Sequence, residues 1–429
     1  MLHGTAEAGN GSSLAWAPVL AVAAVLALVC WRVVTLAVAD FYLASGAPQD
    51  ALSWRASHPT ALIQLAEGRL IAHDREEAAA RALAALAAAP IGGGGYRILG
   101  QVAVEQSAPV RAEQMMALAV ARDPRDVVAR LWLAQQAIKK NDAGAAIAQF
   151  DRVMRVAPDA QPKIFPVLAL FAAVPSAVPA LADNLAQRPP WRTLWLQHFA
   201  SAASDPSALK RTFSAIRRRG GLESEENAAF IRRLVADRRW DEAFLAWAES
   251  LTPAQLAKLS VPFNGDFELP AAAPPFDWLM DGGDGVDARV QALVDGRGHA
   301  LRVELHGRRS SLSVRQLLRL QPGEYRLQWR SRYDGLDTPR GLRWVIDCAE
   351  QPGQHLGASA TKAGSSPWTE ESLAFAVPAR CPAQWLRLEL DARIAAETYG
   401  FGTAWFDDLR VAALKDVTAN PPAESALPH

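Results

Sequence analysis

The order of apolar and polar positions divides the chain into three stretches with different periods. Leu14 to Ala39 is apolar except for Arg32 and Thr35, which is long enough to cross a bilayer as one helix. From there to about residue 260 apolar residues recur at helical spacing, and Pro90, Pro124 and Pro158, standing 34 residues apart, each close one stretch. Beyond Val261 the pattern switches to alternation. Leu301, Val303 and Leu305 alternate with Arg302, Glu304 and His306, and Tyr325, Leu327 and Trp329 with Arg326, Gln328 and Arg330. Leu342, Trp344, Ile346 and Cys348 alternate with Arg343, Val345 and Asp347, and Leu386, Leu388 and Leu390 with Trp385, Arg387, Glu389 and Asp391. Helical hairpins followed by short two-faced strands predict an all-α region and then an antiparallel β-sandwich.

The helical region is periodic in detail. Repeats over 59–92, 93–126 and 127–160 place Leu65 and Ala66, Leu99 and Gly100, and Leu133 and Ala134 at matching slots, with Ala78, Ala112 and Ala146 further on. Large residues fill the groove between two helices and small ones let them approach. A 34-residue period of this kind resembles the tetratricopeptide repeat, which implies a solenoid with a binding surface rather than a catalytic one. Past Pro158 the register decays, and Trp240-Asp-Glu-Ala243 with Trp247 reads as the second helix of a divergent unit. The expected organisation is a tail at 1–13, a transmembrane helix at 14–39, a solenoid at 40–260, a jelly-roll sandwich at 261–414 and a disordered tail at 415–429.

The sandwich opens with Phe263-Asn-Gly-Asp-Phe-Glu268 and closes with Trp405-Phe-Asp-Asp-Leu409. That pair resembles the bookends of jelly-roll carbohydrate-binding modules attached to xylan- and glucan-active enzymes. The resemblance implies first and last strands that lie together and a structural calcium ligated by Glu268 and Asp408; the plain alternative is that these acids cap strand ends. Anchor, repeats and sandwich in this order resemble the membrane-anchored repeat proteins of bacterial exopolysaccharide clusters. The implied function is a non-enzymatic scaffold that binds assembly or export proteins through its repeats and polysaccharide through its sandwich. A purely protein-binding envelope adaptor and a glycan hydrolase or lyase are the alternatives.

Charge and cysteines narrow the setting. With 45 basic and 45 acidic residues the chain has no net charge, which argues against a nucleic-acid partner. Arginine runs at 217–219, 232–233 and 238–239 read as solvated helix faces or as the lining of a groove for an acidic polymer. Ala37-Val-Ala39 reads like a signal-peptidase site, but the apolar stretch is longer than a usual signal core and no Lys or Arg precedes it, so the expectation is an uncleaved single-pass inner-membrane anchor with the bulk of the chain in the periplasm, a cleaved signal being the alternative. Arg32 argues against export of the body, whereas Cys348 and Cys381, beside strand ends, suit a disulfide formed in the periplasm. Buried free thiols are the other reading of that pair.

Chemistry-bearing motifs are few. There is no paired-His helix, Cys-x-x-Cys or Gly-x-Ser-x-Gly, and Gly92–Gly95 lacks the Lys-Ser/Thr of a phosphate loop. Glu304, Asp347, Glu389 and Asp391 are the acids to inspect for glycoside hydrolysis. A lectin-like site needs an aromatic platform flanked by hydrogen-bonding side chains. Alternation puts Trp385 on a polar face with Arg387, Glu389 and Asp391, and the same reasoning adds Arg302, Glu304, Arg326, Gln328 and Arg330 to a shared surface. Packing against the helical region is the competing role for Trp385. Trp329, Trp344 and Trp405 are expected in the core, Trp278 and Trp368 in loops, and arginine-rich lining favours an acidic glycan.

Overall fold

A computed structural model describes residues 17–414 apart from 284, 294–295, 297, 310–311 and 352; the tails expected at 1–13 and 415–429 lie outside them. The chain forms two compact units. One comprises the helices up to Arg192 together with Lys210–Arg219, and the other comprises Thr193–Leu209 and the described residues from Gly220 onward. The change from helix to strand near residue 260 therefore falls inside the second unit.

Helix α1 (Ala17–Ala44) carries the apolar stretch, whose mean hydropathy over its most apolar window is 2.4, with none of that window buried. Its last turns behave differently. Ala39 is fully buried against Ala51 of α2 (Pro48–Trp54) and Ala61 of α3 (Pro59–Ile71), with Tyr42 and Leu43 packed alongside. His58 caps α3 by accepting the N–H of Ala61 at Nδ1, 3.3 Å away, so its ring proton sits on Nε2 and is donated to Asp40 at 2.9 Å.

The 34-residue period is visible in the backbone. Helices α3, α5 (Gly93–Glu105) and α7 (Val127–Lys139) pair with α4 (Arg75–Ala88), α6 (Pro109–Arg122) and α8 (Ala143–Val156), and each start lies 34 residues after its counterpart. Between partners the chain turns through His73, Ser107 and Asn141, all left-handed. At each turn the following N–H returns to a carbonyl five residues back, to Arg69, Ala103 and Ala137, which ends the first helix in a Schellman motif. Ala66, Ala78, Ala112, Ala134 and Ala146 are fully buried, as the small slots require. The period continues past the point where the sequence signature fades: α9 (Gln161–Ala173) starts 34 residues after α7, and α10 (Val178–Ala186) follows. Leu168, fully buried, occupies the slot that holds Ala66, Gly100 and Ala134, which is why the pattern becomes unreadable there.

After α11 (Arg192–Ala202) and α12 (Pro206–Gly220), helices α13 (Ser224–Ala236) and α14 (Trp240–Ala248) form a hairpin whose turn, through left-handed Arg238, repeats the same bonding. A short α15 (Pro253–Ala257) precedes the sandwich. The hairpin is bound to the sandwich through Trp247, edge-on to Phe263 at 5.0 Å, and through Glu350, which accepts from Trp240 Nε1 at 2.6 Å and pairs with Arg238 at 3.1 Å.

Among the described residues the sandwich has ten strands: β1 (Leu279–Gly282), β2 (Val286–Ala292), β3 (His299–Arg309), β4 (Leu312–Leu318), β5 (Gly323–Asp337), β6 (Leu342–Cys348), β7 (His355–Ala358), β8 (Gly364–Val377), β9 (Gln384–Leu390) and β10 (Tyr399–Ala413). All pairings are antiparallel, in a first sheet ordered β1-β4-β9-β6-β7 and a second ordered β2-β3-β10-β5-β8. Their inner faces enclose Leu301, Val303, Leu327, Trp329, Trp344, Leu386, Leu388 and Phe406. Trp278, in the loop just before β1 as expected, packs its side chain into this core, tilted against Trp344 with its indole N–H bonded to the Asn264 carbonyl at 3.0 Å. Cys348 and Cys381 are joined by a disulfide, their Cα atoms 5.5 Å apart.

The two bookend segments meet. Leu409 N–H donates to the Gly265 carbonyl at 2.9 Å and Val411 N–H to that of Val261 at 2.7 Å. A Cβ on Gly265 would lie 2.0 Å from the Leu409 carbonyl oxygen, so only glycine permits the approach. The Gln316 amide accepts from Phe263 N–H at 2.8 Å and donates to its carbonyl at 2.9 Å, while the Asn264 amide does the same for Leu269 at 2.8 and 3.1 Å. Each buried amide thus substitutes for a missing strand partner.

Candidate functional site

The side chains expected to share one polar surface lie on two. Trp385, Arg387 and Glu389 project from β9 on the outer face of the first sheet, and Asp391 follows that strand. Arg302 and Glu304 on β3, and Arg326, Gln328 and Arg330 on β5, project from the outer face of the second. Alternation gives the face of each strand but not which strands pair, so membership of a sheet was invisible in the sequence.

On the first sheet most of the charges are spent on one another. Arg387 pairs with Asp347, which also meets His355 at 2.6 Å, and with Glu389 at 3.2 Å. Arg343 joins Glu389 at 2.9 Å to Asp391 at 3.2 Å, and Arg340 holds Asp391 at 2.8 Å. Trp385 is half-buried, with the Arg315 guanidinium 5.1 Å from its ring centre. Beneath this network Val345 has no exposed surface although it faces outward. Such a self-satisfied lattice offers a ligand few open donors.

The second sheet carries an aromatic surface that the sequence reading missed. Trp405, expected in the core, faces outward, because its neighbours Ala404 and Phe406 take the two inward positions. In register it lies between Arg302 of β3 and Arg332 of β5, with the Arg302 guanidinium 5.6 Å from its ring centre. Trp368, expected in a loop, belongs to β8 opposite the bulge at Arg332, with Arg330 stacked at 5.3 Å. Arg289 of β2 faces Arg302, so one row across five strands reads Arg289, Arg302, Trp405, Arg332, Trp368. Two strand spacings put the tryptophans about 10 Å apart. The clue in the sequence was parity: if Phe406 is core, Trp405 cannot be.

Two depressions flank the Arg330–Trp368 stack. One, of about 180 Å³, is lined by Gln328, Arg330, Glu370, Ser372, Asp408 and Arg410; the other, of about 470 Å³, by Arg332, Asp334, Ser365, Ser366, Pro367 and Trp368. At the far end of β10 the half-exposed Phe401 ring lies over Gly307, where a Cβ would come within 2.1 Å of it. The face thus combines flat apolar surface with amide, hydroxyl and guanidinium groups, the composition that sugar rings require.

The acids suited to other chemistry are differently placed. Arg302 bonds Glu304 and holds its carboxyl below the usual range, the reverse of what a general acid needs. Asp347, Glu389 and Asp391 are all in the ion-pair lattice. Glu268 accepts from His299, 3.0 Å away, which holds its carboxyl low, and Asp408 pairs with Arg330 at 3.3 Å. Among the described residues no three acidic, histidine or cysteine side chains converge on a point, so a calcium on Glu268 and Asp408 would take its remaining positions from carbonyl oxygens or water.

No family model matches the chain, and no curated protein matches it. Solved structures resemble its parts. A carbohydrate-binding module of the CBM4 type is 19% identical, covering 35% of this chain and 97% of its own, with a TM-score of 0.27. The TmCBM61 module in complex with β-1,4-galactotriose is 13% identical over 36% of this chain and 97% of its own, at 0.25. PilF of Pseudomonas aeruginosa is 16% identical, covering 51% of this chain and 90% of its own, at 0.26. At these identities and scores the likenesses carry no inference about what this chain binds.

Proposed function

We propose that this chain is a membrane-anchored scaffold whose sandwich binds polysaccharide on the outer face of its second sheet. The carrying observation is the row of Arg302, Trp405, Arg332 and Trp368 across adjacent strands, bordered by two depressions. Stacking of sugar C–H faces on the indoles provides apolar contact, and the arginines, Gln328 and the serines of β8 meet the hydroxyl rim. In this reading α1 remains in the inner membrane, the body lies in the periplasm where the Cys348–Cys381 bond forms, and the helical repeats dock proteins of a polysaccharide assembly or export machine. No step of bond-breaking is assigned to any side chain.

The test is affinity electrophoresis or calorimetry of the detergent-solubilised full chain with a polysaccharide panel. Trp405→Ala is expected to weaken binding about tenfold or more, as loss of one buried aromatic contact does, while Trp385→Ala leaves it unchanged. If the full chain binds no glycan, the function is that of a protein adaptor; if Trp385→Ala alone abolishes binding, the site is on the first sheet.

A further inference from the structure

We infer that the polysaccharide held on the second sheet is an acidic one, its sugars bearing carboxylate groups. The inference rests on the glycan reading above and adds a chemical class to it. Its basis is the unequal use of arginine on the two outer faces. On the first sheet Arg315 lies over the Trp385 ring, and Arg340, Arg343 and Arg387 each have a carboxylate partner at close range. On the second, three arginines do not. Among the described residues Arg326 has no ion-pair partner, Arg410 reaches only the amide oxygen of Gln328 at 3.3 Å, and Arg332 meets Asp334 no closer than 3.9 Å, with both side chains largely exposed.

These guanidiniums are distributed as a polymer would need them. Arg332 lies between Trp405 and Trp368, where a stacked sugar ring would present its substituents. Arg410 lines the smaller depression, and Arg326 is its diagonal neighbour across the β5–β10 pairing. From Arg332 to Arg326 the path along β5 is about 20 Å, so several sugars of one chain can be engaged at once. A guanidinium donates two parallel hydrogen bonds to a carboxylate, a match no single hydroxyl makes, and a neutral rim could be read as well by amides and acids. The free arginines are therefore specificity elements for charge, whereas the indoles hold any sugar chain. Glu370 and Asp334 are exposed carboxylates of the same face, and Glu370 stands opposite Arg330 in register. A bound uronate must pass beside them, which limits affinity without reversing its sign.

The experiment compares the full chain in detergent with polygalacturonate, alginate and hyaluronate, and with the carboxyl-reduced form of each polymer. At least one acidic polymer is expected to bind about tenfold more tightly than its reduced form, the value of one charge-assisted pair, and to weaken as salt rises from about 0.05 to about 0.5 M. Arg332→Gln and Arg326→Gln should bring acidic and reduced affinities together, the acidic polymer losing more than the reduced one, and Glu370→Gln should tighten the acidic polymer. Equal affinity for acidic and reduced forms overturns the charge class and leaves the glycan reading standing. Binding of neither form overturns both, and Trp405→Ala, which should weaken both forms alike, tells a lost platform from a lost charge contact.

Discussion

Asp277 is a carboxylate that the fold keeps out of water. Its two oxygens accept the N–H groups of Ala272 at 2.6 Å and Trp278 at 2.8 Å, yet burial pushes its pKa from 3.8 up to about 6. The same cause raises Asp407 to about 6, against the hydrogen bond from the Asp408 N–H, which lowers it. Because the folded state holds these protons where the unfolded chain has released them, stability falls as pH rises from about 4 to about 6. Asp277→Asn is expected to flatten about half of that slope in urea unfolding at a series of pH values, at the expense of one backbone hydrogen bond. A variant with the parent's slope would remove Asp277 from the titration. Residue-scale roles were only partly legible in the sequence. The bookend motif pointed to the meeting of Gly265 and Leu409, but Gln316, fifty residues away and bonded to Phe263, carried no local signal. Trp405 lies outward rather than in the core because the parity set by Ala404 and Phe406 decides the face.

At the scale of elements, strong periods were readable and pairings were not. Helix starts of the first three repeats follow from alanine and glycine slots whose size is dictated by close helix approach. Gly100 is one of these: a Cβ there would lie 3.0 Å from the Met116 side chain between α5 and α6. Gly100→Val is accordingly expected to cost about 1–3 kcal/mol in chemical unfolding, and Gly68→Val, which would meet nothing within 4 Å, distinctly less. Strand alternation likewise gave β3, β5, β6 and β9 correctly, since one face of each is core. The assignment of those strands to two sheets depends on contacts distant in sequence, such as β3 with β10, and no local pattern encodes it. The disulfide ties the end of β6 to the segment before β9 within the first sheet. Its reduction is expected to lower stability by about 2–5 kcal/mol in non-reducing against reducing denaturant titrations, with the α-helical signal of the first unit little changed.

For the molecule as a whole, composition offered only exclusions, and the division of labour comes from architecture. One sheet face is closed by its own ion pairs and the other presents aromatic and guanidinium groups, a difference that a balanced total of 45 positive and 45 negative residues conceals. The junction of α1 with the first repeat has a mechanical meaning. After α1 only Ser45-Gly46-Ala47 precedes α2; Ala39 is locked among Ala51 and Ala61, and the Asp40–His58 bond clasps the helix to the cap of α3. With α1 in a bilayer, the first repeat would ride on it as a handle on a shaft, at a fixed height and azimuth. Rotation or tilt of the span would turn the repeats with it, so a neighbouring membrane protein that grips α1 could steer what they hold.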